Sequence, residues 1–154
     1  MSDTEIKIRL MISPEKYADI AEALKNRGIT LDDSAELILT EKSAYPAFII
    51  GKKDEELFRL PVGEISHIES FAHEVVAHTA EGDMRLGDRL MRLEQLLDPT
   101  EFVRVSKSVI VSLSHIKSIR PALTQKFILT MKDGSRVDVT RSYYYIFREA
   151  IGLP

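Results

Sequence analysis

The feature that most constrains this chain is a change of apolar period near residue 46. From there to residue 140 the apolar side chains recur at every second position in short runs closed by polar or turn-forming residues. Runs of that length and period fit half-buried strands. Residues 47–51 and 56–60 are joined by Lys52-Lys53-Asp54-Glu55, which reads as a hairpin. Residues 65–70, 74–79 and 84–86 follow, with a turn expected at Glu81-Gly82-Asp83. The alternation continues through 102–105, 109–113, 116–119 and 127–131, and Asp133-Gly134 is a strong hairpin signal leading into 135–140. Two interruptions have helical spacing. Asp88 is placed to cap a helix carrying Leu90, Leu93 and Leu97, which Asp98-Pro99 ends. Ser142 is placed to cap a last helix carrying Tyr143, Ile146, Phe147 and Ile151. Short strands with two helices exclude a doubly wound nucleotide-binding fold.

The first 45 residues follow other rules. Residues 4–12 alternate through Ile6, Ile8 and Leu10, and Ser13-Pro14-Glu15 then supplies an N-cap, a proline at the first helical position and a first-turn carboxylate. Tyr17, Ile20, Ala21 and Leu24 share one helical face, Gly28 stops the helix, and 29–31 and 35–40 read as extended. The expected organisation is α+β: a strand–helix–strand unit over 1–45, suited to dimerisation or sensing, then a mainly antiparallel domain over 46–154. Ser43-Ala44-Tyr45-Pro46 is the expected boundary. A length of 154 residues suits one compact unit or two small ones.

Composition narrows the chemistry. With no cysteine, disulfides, thiolate metal sites and thiol nucleophiles are excluded. Apolar runs such as residues 47–50 fall far short of the ~20 residues of a membrane span. The start Met1-Ser2-Asp3-Thr4-Glu5 lacks a secretory pattern, so a cytoplasmic protein is expected. There is no glycine-rich phosphate loop, no serine elbow and no helical histidine pair, so neither catalysis nor a cofactor is expected. One rival is a hydrolase or metal enzyme built on His67, Glu69, His73 and Glu74, although on an extended strand His73 and His78 would point to opposite faces. Another is a protein-interaction or small-ligand-sensing module centred on 1–45, without DNA binding.

The net charge of −3 hides a split. Residues 1–83 hold 9 basic against 17 acidic side chains, whereas 102–148 hold nine basic ones against only Asp133 and Asp138. Such an excess is either a footprint for phosphate or a set of solvated strand faces. Inside it, the alternating run 102–105 leads into Ser106-Lys107-Ser108 and then a second apolar strand. The triplet is either a polar turn or an ammonium flanked by hydroxyls, a group suited to phosphate and to the guanine O6/N7 edge.

From about residue 47 to 151 the chain resembles the LytTR DNA-binding domain of bacterial response regulators. The resemblance rests on five pieces in order: Ile65-Ser66-His67-Ile68-Glu69-Ser70; the helix with Leu90, Leu93 and Leu96; Phe102-Val103-Arg104-Val105 with Ser108-Val109-Ile110-Val111; Ile116 and Ile119 with Asp133-Gly134; and Val139-Thr140-Arg141-Ser142-Tyr143. It implies an elongated antiparallel fold that inserts loops into the grooves of double-stranded DNA. His73, Lys107 and Arg141 match base-contacting positions, and Arg104, Ser108 and Tyr143 match neighbouring phosphate contacts or loop supports. The chain departs from the family's usual residues at Ser106, Lys107, Ser112 and Thr140, and residues 1–45 are not a phosphoacceptor receiver. The expectation is a sequence-specific DNA-binding transcriptional regulator, a homodimer on two half-sites, with any regulatory partner left open.

Overall fold

The computed structural model describes residues 4–41 and 45–153. The backbone forms two compact units, Met1–Ala44 and Tyr45–Pro154. Ser43 and Ala44 of the expected boundary lie outside the described residues.

In the first unit β1 (Lys7–Met11) leads into α1 (Pro14–Asn26), then β2 (Thr30–Leu31) and β3 (Leu37–Thr40). β1 is central and parallel to both neighbours, with Lys7 opposite Thr30 and Ile8 opposite Leu37. Its alternation turns Ile8 and Leu10 inward. Ser13 sits at the N-cap without a side-chain cap bond. Instead its amide donates to Glu41 Oε1 at 2.8 Å, and Lys16 Nζ donates to Glu41 Oε2 at 3.0 Å. The helix face read from sequence is only partly covered: Ala21 is buried, whereas Tyr17 and Ile20 stay exposed. A sheet with a two-residue edge strand is too narrow to cover such a helix.

The second unit begins with β4 (Phe48–Lys53), β5 (Glu56–Pro61), β6 (Ile65–Phe71), β7 (Glu74–Thr79) and β8 (Gly82–Leu86). After α2 (Leu90–Leu96), β9 (Phe102–Arg104) and β10 (Val109–Ser112) complete an antiparallel sheet of order β5-β4-β8-β7-β6-β10-β9. β11 (Ile116–Ala122), β12 (Lys126–Met131) and β13 (Arg136–Val139) form a second, three-stranded sheet, and α3 (Tyr144–Ala150) closes the chain. Period two divides the side chains between two cores. Phe102 and Ile110 join Leu60, Ile65, Ile68, Leu90, Leu93 and Leu97 under α2. Val103 and Val111 join Phe127, Leu129, Met131, Val139 and Phe147. Gly51 permits a close approach: a Cβ there would stand 2.9 Å from Met84 Cβ.

Several local expectations are corrected. The turn before β8 uses Ala80 and Glu81, since Gly82 already pairs with Thr79. Arg89, not Asp88, holds the N-cap of α2. Ser142 lies inside a 3-10 turn, Arg141–Tyr143, and Tyr143 holds the N-cap of α3, on which Ile146 is exposed. β11 extends past Ile119 through Pro121, which an edge strand tolerates because its outer amide needs no ladder partner. Among the described residues no helix is long and apolar enough to cross a membrane.

Candidate nucleic-acid interface

Three loops are tied to one end of the seven-stranded sheet. The first is the β6–β7 hairpin, where Phe71 pairs with Glu74 and the two turn residues, Ala72 and His73, both have positive φ (50° and 68°). That is the type I′ requirement, filled here without glycine or asparagine. His73 is thereby held exposed at the apex of the turn.

The second loop carries Ser106-Lys107-Ser108. It is closed by Val105 N–H donating to the Val109 carbonyl at 3.0 Å, and Ser108 N–H donates to Ser106 Oγ at 3.2 Å. Arg104 clamps it from within: Nε donates to the Ser106 carbonyl at 2.9 Å, Nη2 to the Lys107 carbonyl, and Nη1 to Glu94 Oε2 at 3.0 Å. With those bonds and a side chain only 17% exposed, Arg104 has the geometry of a loop support. Its planar fork suits the task, which a lysine could not reproduce. Lys107 and Ser108 are exposed, while Ser106 is buried.

The third segment follows β13. Thr140 N–H donates to the Val105 carbonyl at 3.0 Å, and Tyr143 N–H donates back to Thr140 at 2.9 Å. Tyr143 packs half-buried against the second core, leaving Arg141 exposed. Ser70 N–H donates to the Ser108 carbonyl at 2.8 Å, so the hairpin bearing His73 is joined to the loop bearing Lys107. Two main-chain bonds thus gather the segments of His73, Lys107 and Arg141. Among the described residues none of these three side chains has a hydrogen-bond or ion-pair partner. Unpaired cations at a shared edge are free to engage a polyanion.

Elsewhere the structure brings together residues that sequence reading kept apart. His67 and His78 face each other across β6 and β7, their rings stacked with centroids 4.3 Å apart. His78 Nδ1 lies 2.8 Å from Asp83 Oδ1, while its buried Nε2 lies 3.5 Å from Glu69 Oε1 without forming a hydrogen bond. Burial, and then the neighbouring His78, hold the His67 pKa below its ordinary 6.5 despite opposing carboxylates at Asp133, Glu69 and Asp83. The signal was the spacing of 67 and 78 about a two-residue turn, invisible until the register is known. His73 lies in the turn beyond the other end of β6, and among the described residues no group of three or more His, Asp or Glu could hold a metal ion. The first unit has a cavity of about 510 Å³ beside α1 and β2, lined by Tyr17, Ala21, Ile29 and Leu31 among others.

Comparison with known proteins bears on the family and the fold. Residues 55–152 match the sequence profile of the LytTr DNA-binding domain. The chain is 27% identical over 123 residues to the transcriptional regulatory protein LytR of Staphylococcus aureus (strain bovine RF122 / ET3-1), covering 79% of this chain and 50% of the relative. It is 32% identical over 93 residues to the sensory transduction protein LytT of Bacillus subtilis (strain 168), covering 54% and 39% respectively. The chain therefore spans half or less of these relatives' length. A solved LytTr DNA-binding domain from Bacillus cereus superposes with a TM-score of 0.68 at 28% identity, over 70% of this chain and 99% of that one.

Proposed function

Because the chain belongs to the LytTr DNA-binding domain family, we propose that it is a sequence-specific DNA-binding regulator of transcription that reads a duplex with β-loops, as a dimer on two half-sites. The observation that carries this reading is the pair of main-chain bonds, Ser70 to Ser108 and Thr140 to Val105, which hold three partner-free basic or imidazole side chains at one sheet end. In this reading His73, Lys107 and Arg141 reach base edges. Ser108 and the Tyr143 hydroxyl approach the flanking phosphates, and Arg104 sets the shape of the central loop. Lysine and arginine donate to guanine O6 and N7, the imidazole donates or accepts according to its tautomer, and phosphate contacts supply most of the affinity.

The test is binding to duplexes recovered by selection from a randomised pool, measured over a salt series. With about four to six phosphate contacts, log K should fall with log salt at a slope of about −0.9 per contact. Lys107→Ala and Arg141→Ala should each cost about 1–3 kcal/mol and relax the selected sequence at separate positions. A response flat in salt, or no enrichment during selection, would leave the interaction or ligand-sensing module as the better account.

A further inference from the structure

We propose that the β11–β12 hairpin tip is a fourth DNA-contacting element, in which the Leu123 side chain packs into a groove beside the Arg141 loop while Lys126 meets the adjacent phosphate. This deepens the DNA-reading proposal above and rests on it. The tip lies at the right end of the molecule. Phe127 pairs with Val139, so the chain leaving β13 toward Thr140 and Arg141 runs out at the Lys126 end of β12. Gln125 Nε2 donates to the Tyr145 hydroxyl at 2.8 Å, fastening the tip to the first turn of the helix that follows Arg141. Below it the Phe127 ring stacks on Tyr144 at 4.8 Å.

Leu123 is 89% exposed at the apex, the most exposed of the large apolar residues described. A scattered exposed leucine needs no explanation. This one is different in being held up. Ala122 pairs with Lys126 across the tip, and Thr124 and Gln125 both adopt left-handed backbone, at φ 64° and 56°, without being glycine. Conformations of that kind cost energy and persist where their surroundings enforce them. The exposed Tyr145 ring extends the apolar ridge, and Lys126 and Arg141 flank it, exposed and without partners among the described residues. An apolar point between free cations is complementary to a groove, whose walls are phosphate and whose floor offers thymine methyls and base edges.

The experiment uses the full chain and the same selected duplex. Leu123→Ser should lower affinity about tenfold or more, the loss expected when a buried leucine contact is removed, with an unchanged salt slope because no cation is lost. Leu123→Met should restore most of the affinity. Lys126→Gln should weaken binding and make the salt slope shallower by about 0.9. Thermal melting of Leu123→Ser should match the parent, since the side chain packs on nothing it would leave empty. Lys107→Ala is the control. If it weakens binding while Leu123→Ser and Lys126→Gln do not, the fourth contact is wrong and the parent reading stands. If Lys107→Ala also has no effect, the parent reading itself is wrong.

Discussion

Arg104 spends its guanidinium on the protein itself. Two of its three bonds end on main-chain carbonyls of the 106–108 loop. Arg104→Ala should destabilise the second unit by about 1–3 kcal/mol, the range for charged hydrogen bonds lost from a half-buried site. It should also weaken DNA binding while leaving the salt slope where it was; a slope shallower by a full contact would make Arg104 a phosphate ligand instead. His67 acts through protonation. Its folded pKa lies below the unfolded 6.5, so the unfolded chain takes up more protons as acidity rises. The stability it contributes is present above pH 6.5 and is lost as pH falls through the folded pKa. Urea unfolding followed from pH 7.5 downward should show that loss, and His67→Gln should flatten it. Sequence reading found Arg104 but left its role open, because the same guanidinium serves phosphate or carbonyl and only the fold says which is nearer.

At the scale of elements, period two was legible almost everywhere because the second unit is built from two buried faces, and each misplacement of a side chain would have put a polar group in a core. What escaped was turn and cap chemistry. Asp54-Glu55 and Ala72-His73 both turn with two left-handed residues and no glycine, so no local signal marked their geometry. Asp88 and Ser142 looked like caps, but the chain approaches each helix one residue later than their side chains would need. The β6–β7 turn makes a prediction with two signs. His73→Gly relieves a strained position and should raise stability by about 1 kcal/mol, a few degrees in Tm. The same change should weaken binding to the selected duplex. A variant that gains stability and keeps full affinity would remove His73 from the interface.

Across the whole molecule the charge split read from sequence falls inside the second unit: residues 45–83 hold 3 basic against 8 acidic side chains, whereas 84–154, which carry Lys107 and Arg141, hold 12 against 7. The dimer proposed above has a concrete edge to use. β3 ends the first unit's sheet with Leu37, Ile38 and Leu39 exposed at 61%, 55% and 41%, and a lysine or proline that would protect such an edge is absent from the strand. Ile38→Lys in the full chain should shift sedimentation from dimer to monomer and weaken binding to two half-sites far more than to one. An unchanged sedimentation coefficient would place any self-association elsewhere.

The bonds joining Ser70 to Ser108 and Thr140 to Val105 run between backbone atoms only. Such a frame does not depend on the side chains at 107 and 141, and at 73 it asks only for a residue that tolerates left-handed backbone. Within that one limit the three positions can be rewritten together, as in a typesetter's forme, without loosening the plate. Randomised jointly, they should yield a folded collection of variants that differ in the promoter each one prefers, and new preferences could arise during evolution without an unstable ancestor in between.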